Sequence, residues 1–125
     1  MIKALLLFAA AQCFTTTPNS VGSGAYLSHS GLNWPNTASW QVNSAPPFTY
    51  GALLYGRNNT QPGTPFHGGT LCITQPYHIV QSNTNPNGGT NGTLIPFSTP
   101  GEWYYIQYIY RDQGRILTSN TNKVN

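Results

Sequence analysis

The chain has 125 residues, which suits one domain with a two-layer core. Aromatic residues make up 13% and charged residues 6%, a combination that argues against intrinsic disorder because disordered chains are poor in aromatics and rich in charge. The five basic residues are scattered rather than clustered, which excludes the basic face of a nucleic-acid-binding protein: Lys3, Arg57, Arg111, Arg115 and Lys123.

Residues 1–11 read MIKALLLFAAA and have the pattern of a secretory signal peptide. Lys3 precedes a short apolar run, and the run ends in three alanines that match an A-x-A cleavage site. The run is too short to span a bilayer as a helix, so no integral membrane segment is predicted. The alternative is an apolar segment that stays in the mature protein. We therefore divide the chain into residues 1–11 and one domain over residues 12–125.

The two cysteines of the chain are Cys13 and Cys72. In an exported protein, two cysteines predict a single disulfide bond. This bond would close a loop of roughly 60 residues, which the chain-entropy model values at about 3–4 kcal/mol. The alternative is a pair of free thiols.

Short stretches of alternating apolar and polar residues recur along the chain, separated by Gly, Pro and Asn. They predict strands at residues 25–30, 38–43, 48–55, 70–74, 77–80, 92–97 and 103–111, with weaker ones at 115–118 and 122–124. Residues 58–63 and 83–89 are rich in turn formers and predict loops. About seven short antiparallel strands predict an all-β fold, a single β-sandwich or jelly roll.

Residues 103–111 give the strongest strand pattern, and their two faces can be separated because successive side chains alternate. One face is wholly apolar or aromatic and is the predicted core face: Tyr104, Ile106, Tyr108 and Tyr110. The other face includes an amide and a guanidinium, and it is the candidate ligand or partner face: Trp103, Tyr105, Gln107, Ile109 and Arg111.

The ionisable residues offer little for catalysis. The only acids, Glu102 and Asp112, would lie at opposite ends of one strand, roughly 33 Å apart. The paired carboxylates of a glycosidase are far closer. The three histidines, His29, His67 and His78, have no metal-ligand spacing, and the chain has no nucleophile elbow. The sequence predicts no enzyme, no catalytic residue, no cofactor and no metal site.

Aromatic side chains outnumber what one small core needs, and some are expected at the surface, where flat rings beside amides suit carbohydrate. The candidates are Trp34, Trp40, Tyr50, Tyr55, Tyr77, Trp103 and Tyr105. The alternative is that the rings fill the core of a chain short of aliphatic residues.

The first-choice function is an extracellular structural or adhesive protein that self-assembles into a homo-oligomer or filament. The alternative is a carbohydrate-binding module that takes an extracellular glycan. A weak final strand further predicts donor-strand exchange, with residues 2–11 of a neighbour completing the sheet.

Several short motifs together resemble a known domain. They are Pro18-Asn19-Ser20-Val21-Gly22, Tyr50-Gly51, Gly69-Thr70-Leu71-Cys72 and a Trp103 strand that ends in Tyr110-Arg111-Asp112. This series resembles a secreted β-sandwich domain without an assigned activity that occurs in large bacterial surface proteins, especially of planctomycetes. The resemblance implies secretion, a cell-surface location and a Cys13–Cys72 bridge. It carries over no catalytic residue, and the apolar final strand typical of that domain is missing from this sequence.

Overall fold

The computed structural model of the chain describes residues 13, 16–30, 38–75, 77–94 and 103–124. These residues form nine β-strands and contain no α-helix, which confirms the predicted all-β class. The strands are β1 (Tyr26–His29), β2 (Ala38–Asn43), β3 (Gly51–Gly56), β4 (Asn59–Phe66), β5 (Gly69–Ile73), β6 (His78–Gln81), β7 (Thr90–Leu94), β8 (Tyr104–Asp112) and β9 (Arg115–Val124).

The strands form two larger antiparallel sheets and one hairpin. The first sheet has the order β1-β2-β7, the second has the order β6-β3-β8-β9, and β4 pairs with β5. One core cluster joins the two larger sheets, with Trp40 and Val42 from the first and Leu53, Ile106 and Tyr108 from the second. This arrangement is a β-sandwich, because apolar side chains of both inner faces interdigitate.

The β4–β5 hairpin packs over the outer side of β8 and β9 as a partial third layer. A disulfide joins Cys13 to Cys72 of β5, with an S–S distance of 2.05 Å, and both residues are buried. This confirms the predicted bond. It attaches the start of the described chain to the hairpin.

Buried amides and hydroxyls connect these layers where strand ladders do not. Gln107 of β8 accepts a hydrogen bond from the backbone N–H of Cys72 and donates to the carbonyls of Thr70 and Ser119. Asn120 of β9 accepts from Leu27 N–H at 2.8 Å and donates to Leu27 C=O at 3.0 Å. Each side chain therefore pairs with backbone as a neighbouring strand would, which satisfies groups that would otherwise be buried without partners.

Strand β4 corrects the sequence prediction of a loop at residues 58–63. Its pairing with β5 is irregular between Asn59 and Thr64, and this stretch contains Pro62 and Gly63. Proline is tolerated because, among the described residues, β5 is the one strand partner of β4, which therefore lies at an edge. The turn-forming residues therefore predicted a loop, although pairing with β5 makes this stretch a strand.

Strand β9 corrects the prediction of a weak, interrupted final strand. It runs without a break from Arg115 to Val124 and pairs with β8 through a two-residue turn at Gln113 and Gly114, both with positive φ. Its central residues, Thr118 to Thr121, are polar yet buried. The sandwich already has this strand, so the reason for expecting donor-strand exchange is removed.

Other predictions concern residues outside the described part of the chain. These are the signal peptide at residues 1–11, exposure of Trp34, the placement of Glu102 and the end of a strand at residues 95–97. They stay predictions.

Candidate contact surface

The β4–β5 hairpin divides the outer face of β8, which was predicted to contact a ligand or partner, into two parts. Ile106 and Tyr108 of β8 are fully buried in the core, as predicted, so Gln107 between them points to the outer side of the sheet. There the β4–β5 hairpin covers it, and Gln107 has no exposed surface. The expectation that Gln107 is available to a ligand is therefore wrong. The hairpin leaves Trp103 and Tyr105 at one end of the face and Ile109 and Arg111 at the other.

The Trp103 end is an aromatic cluster with two cations. The Arg57 guanidinium lies 5.6 Å from the centroid of the Trp103 ring, and the Lys123 ammonium lies 5.5 Å from it. Neither cation is near Trp103 in the chain, so the sequence pattern gives no signal of either contact. Although Trp103 is 41% exposed, cation–π contacts already engage its indole, which makes it a poorer platform for a sugar ring.

The Ile109 end is an uncovered apolar groove of about 320 Å³. We call it the open face. It includes side chains from all four strands of the second sheet and from the segment before β3: Tyr50, Ala52, Ile79, Gln81, Ile109, Arg111 and Ile116. Arg111 carries the only charge in this set. Tyr50 and Ile79 are each 64% exposed, so the open face presents large apolar side chains to solvent.

Strand β6 borders the open face and is an edge of the second sheet. All four of its residues, His78 to Gln81, are exposed, and none is Asp, Glu, Lys or Arg. Among the described residues, β3 is its one strand partner. Natural sheet edges are usually protected by charges, prolines or bulges, because a bare edge is a template for another strand.

A second groove, of about 480 Å³, lies on the first sheet. Most of its lining side chains alternate with inward-pointing residues such as Leu27 and Val42, so they belong to the outer face. These outward side chains are uncharged hydroxyls and amides: Ser28, Ser30, Ser39, Gln41, Asn91 and Thr93. His29, Trp40 and Gly92 also border the groove. We call this surface the polar groove.

Two of the sequence motifs that carry the family resemblance meet around Asp112. The Asp112 carboxylate is buried and accepts hydrogen bonds from Ser20 N–H at 2.7 Å and from the Ser20 hydroxyl at 2.6 Å. Asn19 donates to the Tyr110 hydroxyl at 3.1 Å. The Pro-Asn-Ser and Tyr-Arg-Asp motifs therefore hold the chain start against the end of β8, which is a structural role.

The histidines do not converge. No group of three or more His, Cys, Asp or Glu side chains within the described ranges is arranged to hold a metal ion. Burial lowers the pKa of His29 below its ordinary value of 6.5, against an opposing hydrogen bond with Asn122. His78 stacks on Tyr55 with ring centroids 4.9 Å apart, and His67 occupies a turn with positive φ.

The aromatic residues are shared between core and surface. Trp40 is 3% exposed and belongs to the core cluster, which corrects its inclusion among candidates for exposure. Tyr108 and Tyr110 stack in the same core, with centroids 5.9 Å apart. Tyr50 and Trp103 are exposed as expected. The rings thus serve both purposes that the sequence left open.

No protein-family model matches the chain, and no curated protein matches its sequence significantly.

The resemblance to bacterial surface domains accordingly stays a prediction that rests on the motifs around Ser20, Cys72 and Asp112. Within the described part of the chain, no helix has the length and apolar character needed to cross a membrane. The geometry of the two grooves and of the β6 edge is therefore the basis for a functional argument.

Proposed function

We propose that this protein is an extracellular, non-catalytic structural or adhesive β-sandwich that acts by assembling with copies of itself. The observation that carries the proposal is the β6 edge beside the apolar open face: its four residues are exposed, they include no Asp, Glu, Lys or Arg, and no described strand pairs with its outer side. Exposed apolar surface of this kind typically marks an interaction site, and an unprotected strand edge accepts another strand.

A second copy suits this surface because the chain carries little charge. Charged residues are 6% of the sequence and the formal net charge is +3, so long-range repulsion between copies is weak. At the open face, Arg111 is the one lining residue that carries a charge.

The positions and hydrogen bonds of the described ionisable groups support a role without catalysis. The Asp112 carboxylate is occupied by Ser20 and lies in the interior. A general acid or base needs a group within hydrogen-bond reach of a substrate. The described histidines, His29, His67 and His78, lie on different elements, and none is paired with Asp112 in the way that a catalytic triad requires.

An extracellular location fits the covalent chemistry of the chain. The Cys13–Cys72 disulfide is typical of oxidising compartments. The signal-peptide pattern at residues 1–11 and the resemblance to secreted domains point the same way.

A matched pair of lysine substitutions tests the proposal. Ile79→Lys places a charge on the β6 edge and in the open face, and Gln41→Lys places the same charge on the exposed outer face of the first sheet. Both residues are exposed, so neither change disturbs the core. Light scattering after size exclusion is expected to show association of the wild type and of Gln41→Lys, and its loss in Ile79→Lys. Equal association of all three proteins would contradict the assignment of the surface.

The polar groove favours a second candidate function, the binding of a neutral glycan. Its hydroxyl and amide side chains, including Gln41 and Asn91, match the donors and acceptors of sugar hydroxyls. Electrophoresis through gels that contain polysaccharide tests this function. Retardation of the wild type that is lost in Gln41→Ala and kept in Gln81→Ala would support it, whereas unretarded wild type on a panel of polysaccharides would exclude those glycans as ligands.

A further inference from the structure

The backbone of β6 has a defined set of groups directed away from its sheet. Just beyond the strand, Ser82 N–H donates to Gly51 C=O at 2.9 Å, so Ser82 and Gly51 form a hydrogen-bonded pair. Hydrogen-bonded and non-hydrogen-bonded pairs alternate along antiparallel strands. Val80 therefore directs its N–H and C=O toward β3, while Ile79 and Gln81 direct theirs outward.

Two-fold symmetry limits how two such edges can join. Residues opposite each other in a sheet must point to the same face. A two-fold axis perpendicular to the sheet keeps each side chain on the same face in both copies. Opposite residues are therefore separated by an even number of positions in the sequence, so one residue must lie opposite its own copy. Pairing about Val80 places Ile79 opposite Gln81 of the partner copy, and it uses both outward residues of β6 in four backbone hydrogen bonds. Pairing about Ile79 would instead need Tyr77, which precedes the strand.

We propose that two copies of this chain pair antiparallel through β6 about Val80 and form one continuous eight-stranded sheet. This inference rests on the proposed function and names the interface. It buries the two exposed apolar residues of the edge, Ile79 at 64% and Val80 at 38%. The pairing is isologous, so it closes as a dimer and leaves any larger assembly to a second surface.

The side chains suit this register on both faces. Val80 lies opposite Leu53 of β3, whose side chain is fully buried in the core. Two Val80 side chains in contact would extend the apolar inner face from one copy to the other. On the outer side, Ile79 and Gln81 both line the open face, so the open faces of two copies would become continuous.

Cysteine cross-linking tests the register directly. In this register the two copies of residue 80 form a non-hydrogen-bonded pair with Cα atoms about 4.5 Å apart, close enough for a disulfide bond. Residue 79 and its copy are diagonal neighbours and lie too far apart to be bridged. Both native cysteines are already paired, so Val80→Cys and Ile79→Cys each add one free thiol.

Under mild oxidation, Val80→Cys is expected to give a covalent dimer on a non-reducing gel and Ile79→Cys is not. The control is stringent because Ile79 is the more exposed residue, so random collisions would favour Ile79→Cys. Equal or stronger cross-linking of Ile79→Cys overturns the register.

A third result separates the two proposals. If the wild type associates in light scattering while folded Val80→Cys gives no covalent dimer, pairing of β6 about Val80 is wrong and self-assembly through another register or another surface stands. If the wild type is monomeric throughout, the proposed function fails together with the interface. Unchanged circular dichroism of Val80→Cys shows that the variant is folded.

Discussion

Gly51 of β3 lies directly beneath the ring of Tyr108, whose hydroxyl crosses the strand to donate to the carbonyl of Ser82 at 2.5 Å. A Cβ atom at position 51 would lie 1.9 Å from that hydroxyl oxygen. Glycine is required here by close approach. Burial raises the pKa of Tyr108 above its ordinary value, with a smaller contribution from Tyr110, so the phenol stays neutral and donates the hydrogen bond.

We expect Gly51→Ala to lower the free energy of unfolding by about 2–3 kcal/mol, because the added methyl group overpacks the site. Tyr108→Phe removes the hydrogen bond without adding a clash, and it should cost about 1 kcal/mol. Urea denaturation of both variants measures the difference. A Gly51→Ala protein as stable as the wild type would show that Tyr108 does not cross the strand at this point.

His29 predicts how stability changes with pH. Because burial lowers its pKa in the folded protein below 6.5, the unfolded chain takes up the proton more readily. Stability should therefore be full above about pH 7.5 and should fall as the pH decreases to about 5.5. In His29→Gln this fall should be smaller, while His67→Gln, which changes an exposed turn residue, should keep it. Thermal unfolding at about pH 7.5 and about pH 5.5 measures this fall in stability. An identical fall in wild type and His29→Gln would refute the role of His29.

At the scale of strands, side-chain amides form hydrogen bonds to buried backbone groups that a neighbouring strand would usually form. Gln107 satisfies three buried backbone groups from two elements, and Asn120 satisfies both polar groups of Leu27. This explains why an Asn- and Thr-rich strand such as β9 is buried: its side chains hold β1 and the β4–β5 hairpin in place.

Gln107→Leu has a similar volume but leaves the backbone groups of Thr70, Cys72 and Ser119 without their partner. We expect a loss of about 2–4 kcal/mol in the free energy of unfolding, because each orphaned buried group has a desolvation cost. The matched control is Gln41→Leu on the exposed face of β2, which should change stability by less than about 0.5 kcal/mol. Similar effects of the two substitutions in chemical denaturation would contradict the bridging role of Gln107.

Strands were predicted correctly where apolar and polar residues alternate along the sequence. They were missed or underestimated where the strand depends on contacts with residues far away in the chain. Trp40 and Val42 alternate with polar residues, and β2 matches the predicted bounds of 38–43. β4 was missed because its Pro62 and Gly63 are typical of loops, and only its pairing with β5 makes it a strand. β9 was underestimated because its polar residues are buried by layers that the sequence does not reveal.

At the scale of the whole molecule, the candidate surface was predictable only in part. Alternation correctly separated the core face of β8 from its outer face, and Ile109 and Arg111 do line an uncovered groove. The burial of Gln107 and the edge position of β6 depend on which strands pack or pair across the molecule. The local pattern of residues 103–111 does not encode the first, and that of residues 77–81 does not encode the second.

Sedimentation equilibrium of the wild-type chain over a wide range of concentrations tests most directly whether this molecule acts by joining copies of itself. We expect the average mass to rise from that of the monomer to that of the dimer or beyond as concentration increases. A single monomeric mass at every concentration would contradict the account.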